Sequence, residues 1–516
     1  MPDIAWQKLG DYLQETQVLG SIHSTLYWDQ NTSMPINGAK WRGDQLSFLA
    51  RSLHARQSSE RFEELLHEAK DEFQRNYGLK PLVSKEFNEK KRNLELLTQE
   101  LHRQKRLDPD LITQLATAQT NGYSLWQQAR RENDFQCFAP ALRYLISLRQ
   151  EQAKQLDEPR SCWETLAQPF EPDLTIQRLN ELFTPLRKRL PELISKYCLA
   201  KDINQQKWDL EEKSQQDLCE RLLQEWGRNP QVTSIARSPH PFSITLGPQD
   251  FRLTTRVVRG QPLSCFLATA HEWGHSLYEQ GLPSQSHQWF AWPLGQATSM
   301  AVHESQSLFW ENRVARSRAF SYRFWKYFAE AGAPLTCGHD LWRAMNPLTP
   351  GLNRVEADEL SYGLHILIRT ELEIAFLEEG LEVNDIPSEW NKKYKELLGV
   401  VPSNDSEGCL QDVHWSEGSF GYFPSYLIGH LISAQLSEAM IEGLANDGVQ
   451  GEDPIGECIT NASESKLLSW LRREVHHYGR QLNAEQLVEK VTKKPLSSRA
   501  FLTYLENKLE QMTSTP

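Results

Sequence analysis

The spacing of apolar residues along most of the chain is that of amphipathic helices. Apolar positions recur every three or four residues, and Lys, Arg, Glu and Gln occupy the positions between them. The pattern is clearest in residues 41–76, 84–132, 138–157 and 174–198. It predicts that helical hairpins dominate the N-terminal part of the chain. The sequence contains no internal repeat and no Gly/Ser-rich linker that would divide it.

One stretch, residues 241–258, departs from this helical periodicity. Two arms of alternating apolar residues flank the turn-forming sequence GPQD at 247–250, which predicts a β-hairpin. The second arm places Arg252 on the face opposite Phe251 and Leu253, because side chains alternate along a strand. Such a hairpin either presents a polar, cationic face to a ligand or is an ordinary amphipathic surface element.

The composition is that of a globular protein, with 39% hydrophobic and 24% charged residues. The 56 Lys and Arg against 68 Asp and Glu give a net charge of -12, which disfavours nucleic acid and anionic membranes as partners. The first fifteen residues carry four charges where a secretory signal needs an apolar core, and no uncharged apolar stretch approaches the roughly 20 residues of a membrane span. We therefore expect a cytoplasmic protein. The eight cysteines form no CxxC pair, so they predict neither a zinc knuckle nor a dithiol redox motif.

The segment 263–280 has helical periodicity and contains the sequence HEWGH, which matches the pattern HExxH. On a helix, His271 and His275 lie about 40° apart around the axis, so both imidazoles can reach one metal ion. Glu272, about 100° from His271, is placed to act on a water molecule beside the metal rather than to bind it. The alternative is a pair of histidines that only form hydrogen bonds in a helical core.

A catalytic zinc site takes a third protein ligand. The downstream candidates are Glu279, His287, His303, Glu304 and Glu311. The helix-like segment 300–313 is the best source, because it places polar side chains within an apolar element, where they need partners. From spacing alone Glu304 is favoured, with His303 and Glu311 as alternatives.

Several motifs resemble those of the carboxypeptidase Taq family of metallocarboxypeptidases. HEWGHSLYEQG at 271–281 is followed by HESQSLFWEN at 303–312. Upstream, HPF at 240–242 and DFRLT at 250–254 resemble the family motifs HPF and DxRxT. Downstream, RVEAD at 354–358 resembles the Arg-x-Glu-Ala-Asp motif, and GCLQDVHW at 408–415 resembles the GxxQDxHW motif. The motifs occur in the expected order over nearly the whole chain. One departure is the connection 281–299, which looks a few residues long and is expected to reshape the entrance to the cleft.

The resemblance implies a mainly α-helical, large, two-lobed protein with a deep central cleft and a small β-hairpin or sheet next to the active-site helix. It implies one peptidase unit over residues 1–516, with a largely helical N-terminal part at 1–235 and the catalytic motifs at 236–516. The implied activity is the metal-dependent release of single amino acids from the C-terminus of peptides. One divalent metal per chain is implied, zinc first and cobalt as the alternative, and the assembly is expected to be a homodimer.

Site residues follow from the same resemblance. His271, His275 and Glu304 correspond to the metal ligands and Glu272 to the general base. This assignment carries the expectation that replacing Glu311 leaves metal binding intact.

A carboxypeptidase also needs a group for the free carboxylate of its peptide substrate, and a guanidinium binds a carboxylate bidentately. Arg354 is the first choice because the family motif centres on it, and Arg369 and Arg252 follow. Any one of these arginines instead forms a structural ion pair if the assignment is wrong.

Four further residues are candidates for substrate binding. His414 and Tyr422 are candidate donors to the oxyanion of the reaction, against the alternatives of a core histidine and a buried tyrosine. His240 and Asp250 belong to the two motifs near the predicted hairpin.

Two other functions remain open from the sequence. A helical oligopeptidase that cuts peptides internally shares HExxH and a downstream glutamate but needs no carboxylate anchor. A catalytically silent peptide-binding scaffold is disfavoured, because Glu272 is not a metal ligand and therefore has a chemical role.

Overall fold

The computed structural model describes residues 3–77, 84–198, 208–285 and 289–514. The described chain is mainly α-helical, as predicted, and each of the four periodic regions forms helices. The predicted runs 41–76 and 84–132 are each divided into two helices. In the described part of the chain, the α-helices before the sheet are α1 (Ile4–Thr32), α2 (Ala39–Gln57), α3 (Glu60–Tyr77), α4 (Lys85–Arg106), α5 (Pro109–Glu132), α6 (Phe135–Leu156), α7 (Cys162–Ala167), α8 (Ile176–Tyr197) and α9 (Glu212–Glu225).

Local capping explains the division between α4 and α5. Pro109 occupies the first turn of α5, where its missing N–H costs nothing. The Asp108 side chain accepts a hydrogen bond from the backbone N–H of Asp110, which satisfies one of the free donors at the start of the helix. The apolar periodicity alone does not reveal such a break.

The β-hairpin prediction is confirmed, and the sheet has one more strand than predicted. Strands β1 (Thr233–Arg237), β2 (Ser243–Gly247) and β3 (Asp250–Thr255) have the order β1-β3-β2. β2 and β3 are antiparallel, whereas β1 pairs with β3 in parallel. The sequence analysis missed β1 because a five-residue strand in a non-local parallel pair has no turn signal beside it. Phe251 and Leu253 are buried as expected, and β3 packs on the next helix.

The helix predicted at 263–280 spans Pro262–Gly281, as α10. Its apolar stripe of Phe266, Ala270, Trp273 and Leu277 is buried in the main core. The remaining helices are α11 (Met300–Leu308), α12 (Arg318–Glu330), α13 (Gly338–Met345), α14 (Glu359–Glu378), α15 (Ile386–Leu397), α16 (Pro424–Asn446), α17 (Pro454–Thr460), α18 (Glu464–Glu474), α19 (Ala484–Thr492) and α20 (Arg499–Ser514). A π-helix, Phe309–Ala315, continues directly from α11.

The main apolar core includes residues from α5 to α20, and a separate cluster joins α1, α3 and α4. Trp292, in the connection between α10 and α11, belongs to this second cluster, and its ring stacks on that of Trp6 at a centroid distance of 4.1 Å. Through Trp292, this part of the connection packs against the N-terminal helices α1, α3 and α4. His287, in the same connection, lies outside the described residues. None of the helices in the described ranges combines the length and hydropathy needed to cross a bilayer.

Candidate active site

Helices α10 and α11 bring the three predicted metal ligands together. His271, His275 and Glu304 each offer one ligand atom, and these atoms lie within 4.8 Å of one another. The Oε2 atom of Glu304 is 3.6 Å from Nε2 of His271 and 3.3 Å from Nε2 of His275. Two imidazole nitrogens and one carboxylate oxygen form the donor set of many catalytic zinc sites, so the residues fit a divalent metal.

Small residues let Glu304 approach the histidines. A Cβ atom added to Gly274, within the HExxH sequence, would lie 2.7 Å from the Cα of Ser307 on α11. A Cβ atom added to Gly429 on α16 would lie 2.9 Å from the Cγ of Glu304. Only glycine permits these approaches, so the two glycines fix the position of α11 between α10 and α16.

The second ring nitrogen of His271, Nδ1, pairs with a different carboxylate. Nδ1 of His271 is 2.9 Å from Oε2 of Glu311, which the π-helix places beside α10. The other oxygen of Glu311 accepts a hydrogen bond of 2.9 Å from Nη2 of Arg316. A carboxylate at Nδ1 orients the imidazole and directs Nε2 towards the metal position.

His275 has a corresponding chain of partners. Its Nδ1 lies 2.6 Å from Nδ1 of His303, and Nε2 of His303 lies 3.0 Å from Oε1 of Glu279. The hydroxyl of Thr245 on β2 donates to the second oxygen of Glu279 at 3.2 Å. Spacing alone left three candidates for the third ligand. His303 and Glu311 contact the Nδ1 atoms of His275 and His271, respectively, whereas Glu304 faces the Nε2 atoms of both histidines.

The carboxyl groups of Glu272 and Glu304 have opposite electrostatic environments. Burial raises the pKa of Glu272 to about 7, although the charge of His271 opposes this shift. Burial also acts to raise the pKa of Glu304, but the adjacent His271 and His275 outweigh it and hold the pKa at about 2. The pKa values of the two carboxyl groups are therefore shifted in opposite directions, and groups separated in this way suit different chemical roles.

A buried ion-pair network lies in the downstream motifs. Asp412 accepts from Nε of Arg354 at 2.8 Å with one oxygen and from Nε of Arg369 at 2.5 Å with the other. Although burial acts to raise the pKa of Asp412, the charges of Arg369 and Arg354 hold it well below its usual range. The Arg369 side chain is fully buried and also donates to the carbonyl of His365.

Aromatic residues connect Arg354 with the metal-ligand cluster. Nη1 of Arg354 donates to the hydroxyl of Tyr362 at 3.4 Å. The ring of Tyr426 lies 5.2 Å from the Arg354 guanidinium carbon. Tyr426 lies three residues before Gly429 on α16, and Gly429 lies directly against the side chain of Glu304, so this part of α16 lies beside both Arg354 and Glu304.

The predicted oxyanion donors lie in the same aromatic group. The rings of His414 and Tyr422 are 5.4 Å apart, and Nδ1 of His414 is buried without a hydrogen-bond partner among the described residues. Burial lowers the pKa of His414 to about 4 against the opposing charge of Asp412, so the ring is neutral at pH 7. A neutral imidazole offers a single N–H donor.

The three candidates at the sheet are more exposed. Arg252 and Asp250 form a bidentate ion pair with distances of 2.7 and 2.8 Å, and the Arg252 guanidinium lies 5.7 Å from the Trp28 ring. His240 is exposed, and its carbonyl accepts from the hydroxyl of Ser238. The structure therefore keeps Arg252 and Asp250 together and places His240 at the surface.

Asp412, Tyr362 and Tyr426 were not among the residues predicted from the sequence, although Asp412 lies within the QDVHW motif. The motif itself was the available signal for Asp412, since an acidic residue in an apolar sequence needs a partner. The positions of Glu311 and His303 beside the two predicted ligand histidines depend on the packing of α11 and its π-helix against α10.

Together the helical fold and the HExxH cluster are typical of metallopeptidases. The family model for the carboxypeptidase Taq (M32) metallopeptidases matches residues 8–509. The chain is 34% identical to thermostable carboxypeptidase 1 of Thermus thermophilus and 30% identical to carboxypeptidase 1 of Bacillus subtilis, covering 98% and 97% of each pair of chains. Its fold matches the crystal structure of the M32 carboxypeptidase from Deinococcus radiodurans with a TM-score of 0.90 and 31% identity, covering 99% of this chain and 100% of that chain.

The chain belongs to the M32 carboxypeptidase Taq family and is a metallocarboxypeptidase. The predictions of family, helical fold class and enzyme activity are thereby confirmed.

Proposed function

We propose that this enzyme removes single C-terminal amino acids with His271, His275 and Glu304 as metal ligands, Glu272 as general base and Arg354 as the anchor of the substrate carboxylate. The observation that carries the proposal is that the Glu304 carboxylate faces Nε2 of both histidines, while Arg354 and Glu304 both lie beside α16. A water-activating group and a carboxylate-binding group in one site are what an exopeptidase requires.

A bound divalent metal would supply Lewis acidity, which lowers the pKa of water and polarises a carbonyl group. Glu272 would take the proton of the attacking water and pass it to the amine of the departing amino acid. Its burial supports this role, because a desolvated carboxylate is a stronger base than one in water. His414 and Tyr422 would donate hydrogen bonds to the developing oxyanion.

The metal is proposed to be zinc, with cobalt as the alternative, because two histidines and one glutamate suit either ion. Elemental analysis of the purified enzyme identifies the ion it carries. Chelation is expected to abolish hydrolysis, and Zn²⁺ or Co²⁺ is expected to restore it. Full activity in a preparation shown to be free of metal would contradict the ligand assignment.

Among the three candidate arginines, the geometry favours Arg354 as the carboxylate anchor. Its side chain keeps some exposure, whereas that of Arg369 has none. Arg252 is already paired bidentately with Asp250. Arg369 would therefore hold Asp412 against Arg354. The residues near the sheet, His240, Asp250 and Arg252, would bind parts of the peptide there.

The decisive experiment compares the free-acid and C-terminally amidated forms of one peptide by mass spectrometry. The wild type is expected to produce a ladder of C-terminal truncations from the acid and little from the amide. Arg354→Ala should lower kcat/KM for the acid about 10- to 150-fold, the range for a lost charge-assisted hydrogen bond. Arg354→Lys should recover part of this loss, because it keeps the charge without the planar fork.

Arg259→Ala is a matched control, because Arg259 forms an exposed ion pair with Asp209 and is not one of the residues assigned to the site. It should leave the acid preference unchanged. Internal fragments, or equal cleavage of both peptide forms by the wild type, would favour an oligopeptidase. If Arg354→Ala still cleaves the free-acid peptide in preference to the amidated peptide, Arg369 or Arg252 binds the substrate carboxylate instead.

We also propose that residues 1–516 act as one two-lobed peptidase unit with a catalytic part at 236–516, and that the enzyme is cytoplasmic and homodimeric. Large apolar side chains exposed on the N-terminal helices support the dimer, since contiguous exposed apolar surface marks interaction sites. Ile36, Trp41 and Phe48 are 88%, 71% and 62% exposed. Light scattering should give twice the chain mass, and Trp41→Glu with Phe48→Glu should give a monomer if these helices form the interface.

A further inference from the structure

A short segment between α7 and α8 contacts the first turns of two helices that carry site residues. The N–H of Met300 donates to the carbonyl of Phe170 at 3.0 Å, and the N–H of Ala301 donates to Oε1 of Glu171 at 2.6 Å. The same Oε1 atom accepts from the hydroxyl of Ser425 at 2.8 Å. One carboxylate therefore joins the N-terminus of α11 to the N-terminus of α16.

Both helices position groups of the active site. Glu304 lies three residues after Ala301, on the adjacent turn of α11. α16 begins two residues after Tyr422 and carries Tyr426 in its first turn. The ring of Phe170 packs edge-on against that of Tyr422 with a centroid distance of 5.0 Å. The segment thus contacts the helix that carries Glu304, the ring of Tyr422 and the first turn of the helix that carries Tyr426.

Glu171 has an unusual environment for a carboxyl group. It is 3% exposed, and none of the ion pairs found in the described ranges includes it. Burying a carboxyl group without a cation costs free energy, so stability alone does not explain a glutamate here. Its acceptor oxygen satisfies one free backbone N–H at the start of α11 and the hydroxyl of Ser425 in the first turn of α16, and a helix N-terminus is a favourable place for an anion or acceptor.

We propose that Glu171 is a positioning residue that holds α11 and α16 in register, so that Glu304 and the tyrosines Tyr422 and Tyr426 keep a fixed separation. This inference rests on the proposed roles of Glu304 and the tyrosines. Glu171 acts through its hydrogen-bond acceptors, and it does not contact the substrate.

The test measures the metal dissociation constant by competition with a chromophoric chelator, using Zn²⁺ alone, together with kcat and KM. Glu171→Ala should weaken Zn²⁺ binding and lower kcat, each about 10-fold, the lower end of the effect of outer partners of metal ligands. KM should change little, because Arg354 is untouched. Glu171→Gln keeps an acceptor oxygen and should restore both values to within about 3-fold of the wild type.

Ser425→Ala tests separately the two hydrogen bonds that Glu171 accepts, from Ala301 on α11 and from Ser425 on α16. It removes the bond to α16 and leaves the bond from Ala301, so it should lower kcat about 3- to 10-fold without changing Zn²⁺ affinity. Glu464→Ala is the matched control for loss of a buried carboxylate, because Glu464 is 3% exposed and pairs with Arg323 on α12. It should lower the melting temperature and leave Zn²⁺ affinity unchanged.

Wild-type Zn²⁺ affinity and kcat in Glu171→Ala, with a lowered melting temperature alone, would overturn the proposal. So would Zn²⁺ affinity in Glu171→Gln that falls as far as in Glu171→Ala. A wild-type protein that binds Zn²⁺ but does not trim free-acid peptides would refute the proposed function instead, and the Zn²⁺ comparison of the Glu171 variants would still decide the positioning role.

Discussion

Nδ1 of His271 lies 2.9 Å from the carboxylate of Glu311, which makes Glu311 a partner of a proposed ligand rather than a ligand. The sequence alone suggested that replacing Glu311 leaves metal binding intact. The hydrogen bond changes this expectation, because a carboxylate at Nδ1 orients the imidazole and increases its basicity.

We predict that Glu311→Ala raises the metal dissociation constant about 10- to 100-fold, the usual effect of removing such a partner. Glu304→Ala should have a larger effect, since it removes a ligand. Titration of the metal-free variants with Zn²⁺ measures both. Unchanged affinity in Glu311→Ala would show that the hydrogen bond does not support the metal site.

For Glu272→Gln we expect stoichiometric metal and a fall in kcat of about 10²- to 10⁴-fold, the range for loss of a general base. The amide keeps the size of the side chain but accepts no proton at neutral pH. Elemental analysis and steady-state kinetics on one preparation give both quantities. Turnover near that of the wild type would remove Glu272 from the mechanism.

Asp412→Asn should destabilise the protein strongly. The substitution leaves the guanidinium groups of Arg354 and Arg369 without their shared counter-charge, and breaking a buried ion pair typically costs about 3 to 5 kcal/mol. Urea denaturation measures the change in the free energy of unfolding. Asp250→Asn is the comparison, because its more exposed pair with Arg252 should contribute about 1 kcal/mol or less.

The buried carboxyl of Glu373 predicts a pH dependence of stability. Glu373 accepts from Trp415, Gly421 and Trp163, and burial raises its pKa from 4.5 to about 7 despite these bonds. The folded state therefore binds the proton more tightly than the unfolded state. The resulting stabilisation is complete below pH 4.5 and is lost as the pH rises through about 7.

Glu373→Gln has no titrating group at this position, so its free energy of unfolding should fall less than that of the wild type between pH 5 and pH 8. The difference in this change should approach about 3 kcal/mol at most. Urea denaturation of both proteins across this range gives the comparison. Parallel profiles for the two proteins would show that Glu373 does not change its proton occupancy on folding.

Much of the fold could be predicted because its determinants are local. The three- and four-residue spacing of apolar positions located the helices, and alternation around a turn located β2 and β3. The same local rule brought His271 and His275 to one side of α10, since residues four apart on a helix are neighbours. The family and its activity followed from motifs that are contiguous in the sequence.

Only the tertiary structure decided how these elements meet. Spacing could not choose among Glu304, His303 and Glu311, because the choice depends on how closely α11 approaches α10, which Gly274 permits. The bridge from Asp412 to Arg354 and Arg369 joins residues more than forty positions apart. Contacts of this kind arise from packing between segments that are distant in the sequence, whereas the periodicity of a sequence indicates only the secondary structure within each segment.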